Sequence, residues 1–530
     1  MVEQLFDYII IGAGSSGSVV AGRLSEDPEV SVCLLEAGPP DTSPFIHVPT
    51  GIIKLSSHQK LNWLFMTKPQ QSMNNRPLFT PRGKTLGGSS SINAMVYIRG
   101  NRLDYDEWAA LGNEGWAWSD VKPYFLKAEH NEQFADEHHS QGGPLNVTFP
   151  NIVSHLEKDF VAASEALQYK HNPDFNGENQ EGVGIHQATQ KNGQRWSSSK
   201  AYLHPAMQRP NLTILTEAAV KRVLLDNDRA SGIELIDGRQ LSAKREIIVS
   251  AGAIASPKIF MLSGIGDPAE LAPHGIELKH NLLGVGKNLQ DHAVVGAIMS
   301  TKSRTPWGFS WPKLPYFGLE ALKYIFARKG WFSAQLIESG GFIKSRPELE
   351  RPDIQLVFVP GHRAVPPKVV EVGHGYSAFA VLLHPESRGV IKLASADPED
   401  APIIDPQFYS KEPDMDVLLW GLKECRRIVN NEVFQKYQPT ESLPGKSAQT
   451  DEELKEYIRN FGSTIFHPAG TCKMGSDDQA VVDHRLRVHG LKGLRVVDLS
   501  IVPKIVGGNT NAPAIMIGEK AADMIKQDNT

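Results

Sequence analysis

Apolar positions along this chain follow two patterns. From Tyr8 to Ile11 they run continuously and are rich in β-branched residues, which predicts a parallel strand buried on both faces. Val19, Val20 and Leu24 then recur at helical spacing, and a second apolar run, Val30 to Leu35, stops at Glu36. Thr216 to Leu225, Glu246 to Gly252 and Leu494 to Asp498 read as further strands of that sheet, and Ala514 to Ile525, after Pro513, as a helix. Elsewhere the apolar residues alternate, as in Ile354-Gln-Leu-Val-Phe-Val359, between Pro and Gly breaks, which predicts an antiparallel sheet with one covered face. The expected class is α/β (α+β overall). Residues 1–155, 211–299 and 461–530 make a discontinuous Rossmann-like domain, and residues 156–210 and 300–460 an inserted domain built on the antiparallel sheet.

The first strand leads into Gly12-x-Gly14-x-x-Gly17, with Ser15 and Ser16 inside the motif and Glu36-Ala37 closing the second strand. Gly12 permits the tight turn, Gly14 lets backbone approach a pyrophosphate, and Gly17 lets helix pack on strand. The helix N-terminus favours the phosphates, and Glu36 is placed to accept from an adenosine ribose. This unit alone does not separate NAD from FAD.

Composition narrows the field. The chain has 530 residues, 41% hydrophobic and 22% charged, as in a globular protein of more than one domain. A net charge of −5 gives no electrostatic reason to bind nucleic acid. Cys33, Cys425 and Cys472 are too scattered for a disulfide framework or a CxxC metal pair, so no metal is expected. Neither a signal peptide nor a membrane-spanning run is read, and the expected location is the cytoplasm.

Four further segments carry a resemblance. Arg82-Gly-Lys-Thr-Leu-Gly87-Gly-Ser-Ser-Ser91-Ile-Asn93, continuing through Ala94, Met95 and Val96, resembles one hallmark of the glucose–methanol–choline oxidoreductases. Gly252 to Gly266 resembles another, and Phe466-His467-Pro468 to Gly475 and Asn509-Thr-Asn511-Ala-Pro513 resemble the family's two active-site segments. The resemblance implies FAD. It places Gly12, Gly14, Ser15, Ser16, Gly17, Glu36, Ala37 and the 82–96 residues Arg82, Gly87, Ser91, Asn93, Ala94, Met95 and Val96 at the cofactor. Val220 touches the adenine through its backbone, and Asp498, Leu499, Asn509 and Pro513 complete the set. Members that attach flavin covalently here carry His where this chain has Ile92, which implies non-covalent FAD.

The resemblance makes His467 the base that takes the hydroxyl proton of an alcohol, with Asn511 as its partner; a placed imidazole suits that task. The substrate class implied is primary alcohols, aliphatic first and aromatic second, as in bacterial choline-dehydrogenase-like enzymes. Electrons pass to a quinone or another non-NAD acceptor. The alternatives are an O₂-using alcohol oxidase, a choline dehydrogenase with Glu338 as the ammonium partner, and a lyase or photodecarboxylase of the same fold. His292 reads as structural, and His47, His186, His362 and His374 as possible linings of an access path. Residues 302–332 combine nine aromatics with Lys302, Arg304, Lys313, Lys323, Arg328 and Lys329 against one acid, Glu320. Leu319, Leu322, Ile325 and Phe326 share a helical face, so this stretch reads as a peripheral contact with the inner face of the cytoplasmic membrane. Oligomeric state is not legible.

Overall fold

The computed structural model describes residues 4–361 and 373–529. Gln4–Ile11 lies inside a seven-stranded sheet. Tyr8 to Ile11 are buried because Val32–Leu35 and Gln240–Val249 flank them in parallel and helices cover the faces. Leu212–Leu215 extends the sheet past Val32–Leu35, and Leu494–Val496 pairs in parallel with the end of Gln240–Val249. Arg229–Leu235 and Val220–Asp226 continue it antiparallel. The sheet therefore brings the C-terminal ends of Ile11, Leu35, Val249 and Val496 to one edge, the usual place for a ligand in an open α/β sheet.

Helix Ser15–Leu24 packs against Asn511–Asp528, whose residues Ala512 to Ala522 are all buried. Gly12 has φ +98°, open to glycine at little cost. A Cβ on Gly17 would lie 1.9 Å from the Gly12 carbonyl oxygen, a collision with backbone that no rotamer relieves. Overpacking of this kind costs ~1–3 kcal/mol or more. Gly17→Ala is therefore expected to give pale protein with a lowered Tm; a normal flavin-to-protein ratio and Tm would show that the turn adapts.

Among the described residues, the second sheet has eight strands and is antiparallel throughout. Its centre is Ala293–Thr301, Gly373–Leu382, Ile354–Val359 and Ser339–Ile343. Helix Glu412–Val429 covers one face with Met415, Leu418, Leu419, Leu422, Cys425, Ile428 and Val429, an i, i+3, i+4, i+7 stripe. Strand alternation sends Ile354, Leu356 and Phe358 into that core. Gln355 points the other way and is also buried, so this strand is covered on both faces rather than one.

The boundary expected between residues 299 and 300 falls inside the strand Ala293–Thr301, which belongs wholly to the second sheet. Ala-Val-Val-Gly-Ala-Ile-Met is apolar on both faces, so its pattern does not reveal which sheet it joins. Ser463–Thr464 pairs with the start of the same strand, directly before His467. Among the described residues, no helix is long and apolar enough to cross a membrane.

Candidate active site

A cleft opens at the sheet edge, with about 1260 Å³ of unfilled space including its mouth. Gly12, Gly14, Ser15, Ser16, Glu36, Ala37, Arg82, Val220, Asp498 and Leu499 line it, together with Trp63, Phe65 and Pro468.

Each lining group has a local reason to be there. Gly14 precedes the helix without a side-chain cap, so the first helical N–H groups are free for an anion. A Cβ at Gly14 would meet nothing nearer than 3.9 Å, which leaves that backbone open to a ligand. Glu36 accepts from the Ala13 and Gly38 amides at 3.1 and 2.9 Å, tying the glycine turn to the second strand. Burial still raises its carboxyl to about 7, against the lowering effect of those amides. Asp498 accepts from Gly252 N (2.8 Å), Ser256 Oγ (2.6 Å) and Ser500 N (2.7 Å), and burial raises its carboxyl too.

The 82–96 segment folds over the glycine turn. Gly87 N donates to Ala13 O at 2.8 Å, and Ser91 Oγ to Leu86 O at 2.7 Å. Asn93 Oδ1 accepts from Met95 N and from the buried Arg195 (2.7 Å). Ala94 and Val96 join an apolar cluster with Ile98, Phe342 and Leu383. Ile92 packs with Ile46, Leu55 and Leu61. Of this segment, Arg82, Gly83, Gly88 and Ser89 line the cleft.

His467 is held from three directions. Its backbone N–H donates to Asp291 Oδ1 at 2.8 Å, and the same oxygen accepts from His292 N. Asp291 Oδ2 accepts from Thr464 Oγ1 at 2.6 Å, and burial raises this carboxyl to about 6. Phe466 has φ +72°, a conformation bulky residues avoid. Its carbonyl accepts from the Arg82 guanidinium, itself lowered to about 10 by burial.

The hydrogen bonds fix the protons on both imidazoles. His292 Nε2 faces the Leu383 carbonyl at 3.1 Å, so it must donate. Burial holds His292 down to about 3, so the ring is neutral and its Nδ1 is an acceptor. His467 Nδ1, 2.9 Å away, must then donate to it. The lone pair of His467 is left on Nε2. Burial, followed by the neighbouring His292 and Arg82, pushes His467 well below the ordinary imidazole value. The arrangement presents a neutral ring with its bare nitrogen outward.

Nε2 faces Asn509 Nδ2 at 3.5 Å. Asn511, the partner expected from sequence, is not there: its Oδ1 accepts from Ser15 Oγ at 2.7 Å. Residue 511 begins the final helix and turns toward the glycine motif, whereas 509 is still in the preceding loop. Asn509, expected at the cofactor, thus takes the place beside His467. Gln355 Nε2 donates to Asn509 Oδ1 at 3.1 Å and so turns the Asn509 amide nitrogen toward His467. Pro513 is buried in the first turn of that helix.

Models of the GMC oxidoreductase family match residues 6–294 and 385–518. The chain belongs to the GMC oxidoreductases. It is 47% identical to an alcohol dehydrogenase (acceptor) of Pseudomonas putida, over 98% of this chain and 96% of that protein. It is 41% identical to an oxygen-dependent choline dehydrogenase of Sinorhizobium fredii, over 98% and 95%. A formate oxidase of Aspergillus oryzae, solved in a study of FAD modification, superposes with TM-score 0.91 at 28% identity, over 100% and 99%.

The cofactor of this GMC oxidoreductase is FAD, and the cleft fits it: an uncapped helix start, an open Gly14 and the buried acid Glu36 line it, as does Pro468, next in the chain to His467. His292, Asp291 and Gln355 were not legible as site residues. Gln355 offered a signal as a polar residue inside an apolar strand, and His292, with Asp291 before it, was read as structural. Of the other histidines, His374 bonds Pro306 O and Ser310, His186 is fully buried, and burial lowers His47. His362 lies outside the described residues.

Proposed function

We propose that this enzyme oxidises primary alcohols, aliphatic ones first, to aldehydes and passes the electrons to a quinone or another non-nicotinamide acceptor. The observation that carries the reading is the bare Nε2 of His467, fixed by His292 and facing Asn509. Bound FAD supplies the two-electron acceptor for the substrate's α-hydride. His467 Nε2 takes the hydroxyl proton, and the charge it gains is shared through Nδ1–H with His292. Asn509 Nδ2 donates to the alcohol oxygen as negative charge develops there. Asp291 and Arg82 hold the backbone on either side, so the ring needs no reorientation.

Glu36 is assigned to the adenosine ribose, Val220 to the adenine edge and the 14–16 turn to the pyrophosphate. The aliphatic environment of Ile92 leaves nothing there to bond flavin covalently, so the FAD is dissociable. Choline is disfavoured: Glu338 is fully buried, accepts from the Gln335 and Leu336 amides and shares its site with Glu157, so it has no room for an ammonium. A second reading, oxygen as the electron acceptor, is favoured by the similarity to an oxygen-dependent choline dehydrogenase and to a formate oxidase.

The test is turnover of a panel of primary alcohols with a ubiquinone analogue, O₂ or NAD⁺ as sole acceptor. Aldehyde formation with the quinone and none with NAD⁺ is expected. Turnover at full rate with O₂ and stoichiometric peroxide would establish the second reading, and NAD⁺ reduction would contradict both.

A further inference from the structure

The helix Leu314–Ala327 is inverted relative to an ordinary surface helix. Its inward stripe carries the charge: Glu320 is buried, accepting from Trp331 N at 2.7 Å and pairing with Lys323 at 2.7 Å. Tyr324 is buried beside it, and Phe317 stacks edge-on against Trp331. The outward stripe is apolar. Leu319 and Leu322 are each 53% exposed, Ile325 62% and Phe326 83%, with Leu314, Tyr316 and Trp311 exposed on the approach. Large apolar side chains gathered on one exposed face mark an interaction surface rather than chance exposure.

Charge decides between occupants. Lys302, Arg304, Lys323, Arg328 and Lys329 are exposed around the patch, with Lys313 partly so. Glu320 is the one acid from 302 to 332 and is already bonded inward, although the whole chain carries −5. A second copy docked by this face about a two-fold axis would set this basic rim against itself. An anionic lipid surface satisfies both features, with lipid tails receiving the leucine and phenylalanine side chains and headgroups meeting the rim.

We infer that this face seats the enzyme on an anionic phospholipid bilayer, with the helix lying in the interface plane. The patch is tied to the site by short links. The Trp331–Ser333 turn packs on Pro49–Gly51, and Arg328 O lies against Gly193, two residues before the Arg195 that bonds Asn93. The inference does not depend on the alcohol reading, because binding is measured without turnover.

The experiment is co-sedimentation of the yellow holoenzyme with phosphatidylcholine vesicles, with and without phosphatidylglycerol. Wild type is expected to pellet with the anionic vesicles alone and to be released by high salt. The triple variant Leu319→Glu, Leu322→Glu, Phe326→Glu is expected to bind about tenfold less or weaker still, with unchanged flavin content and dye-linked turnover. Arg328→Ser with Lys329→Ser should weaken binding without abolishing it. Wild type left in the supernatant, a triple variant that pellets like wild type, or a wild-type dimer that the triple variant dissolves would each overturn the inference.

Discussion

Replacing His467 by alanine is expected to leave the flavin spectrum intact and to cut alcohol turnover by roughly 10²- to 10⁴-fold, the worth of a placed general base. The side chain contacts His292 and Asn509 rather than the glycine turn or Glu36, so FAD retention should not depend on it. The asparagines sharpen the test. Asn509→Ala removes the donor facing Nε2 and should lower turnover with little change in FAD content. Asn511→Ala breaks a bond to Ser15 inside the glycine motif and should weaken FAD retention instead. Near-normal turnover of His467→Ala would remove this residue from the chemistry. The same turnover loss in both asparagine variants would mean that the geometry around Nε2 does not separate their roles.

The second large effect is on the cofactor. Glu36→Ala should weaken FAD binding roughly 10- to 100-fold, because hydrogen bonds to a charged group contribute ~1.5–3 kcal/mol. The pH dependence follows from its raised value. In the protein alone the carboxyl titrates at about 7 because burial disfavours the charge. A carboxyl raised in the fold stabilises it below the unfolded value of 4.5, and that contribution is lost as pH rises toward 7. Ribose hydroxyls donate to the ionised form, so FAD binding expels the proton. Affinity for FAD should therefore fall as pH drops below about 7, by up to about tenfold per unit, and level off above it. Fluorescence titration of the apoprotein across that range checks this. A flat profile in wild type, or the same slope in Glu36→Ala, would show that another group carries the linkage.

How far the sequence reached depended on whether each feature was local. Tyr8 to Ile11, the three glycines and Glu36 sit within one β-α-β unit, and period and spacing place them. Leu494–Val496 joined the expected sheet because its apolar run ends on an acid, as the first unit's second strand does. The strand Ala293–Thr301 was misallocated because it is apolar on both faces and so has no period to read. Asn509 and Asn511 differ by two positions, and only the point where the last helix begins tells which one faces His467. The bonds from His292 and Asp291 to His467 span 175 and 176 residues, so no spacing announces them. Gln355 reaches Asn509 from the other sheet, which only the packing of the two sheets determines.

Alcohol oxidation here rests on His467 as the base, next to the cleft-lining Pro468. The most direct test is anaerobic rapid mixing of the holoenzyme with a medium-chain primary alcohol and its α,α-dideuterated form, following the flavin absorbance. Bleaching that slows on deuteration is expected in wild type, and bleaching slower by orders of magnitude in His467→Ala. A flavin that stays yellow with every alcohol tried, or one that bleaches equally fast without His467, would contradict it.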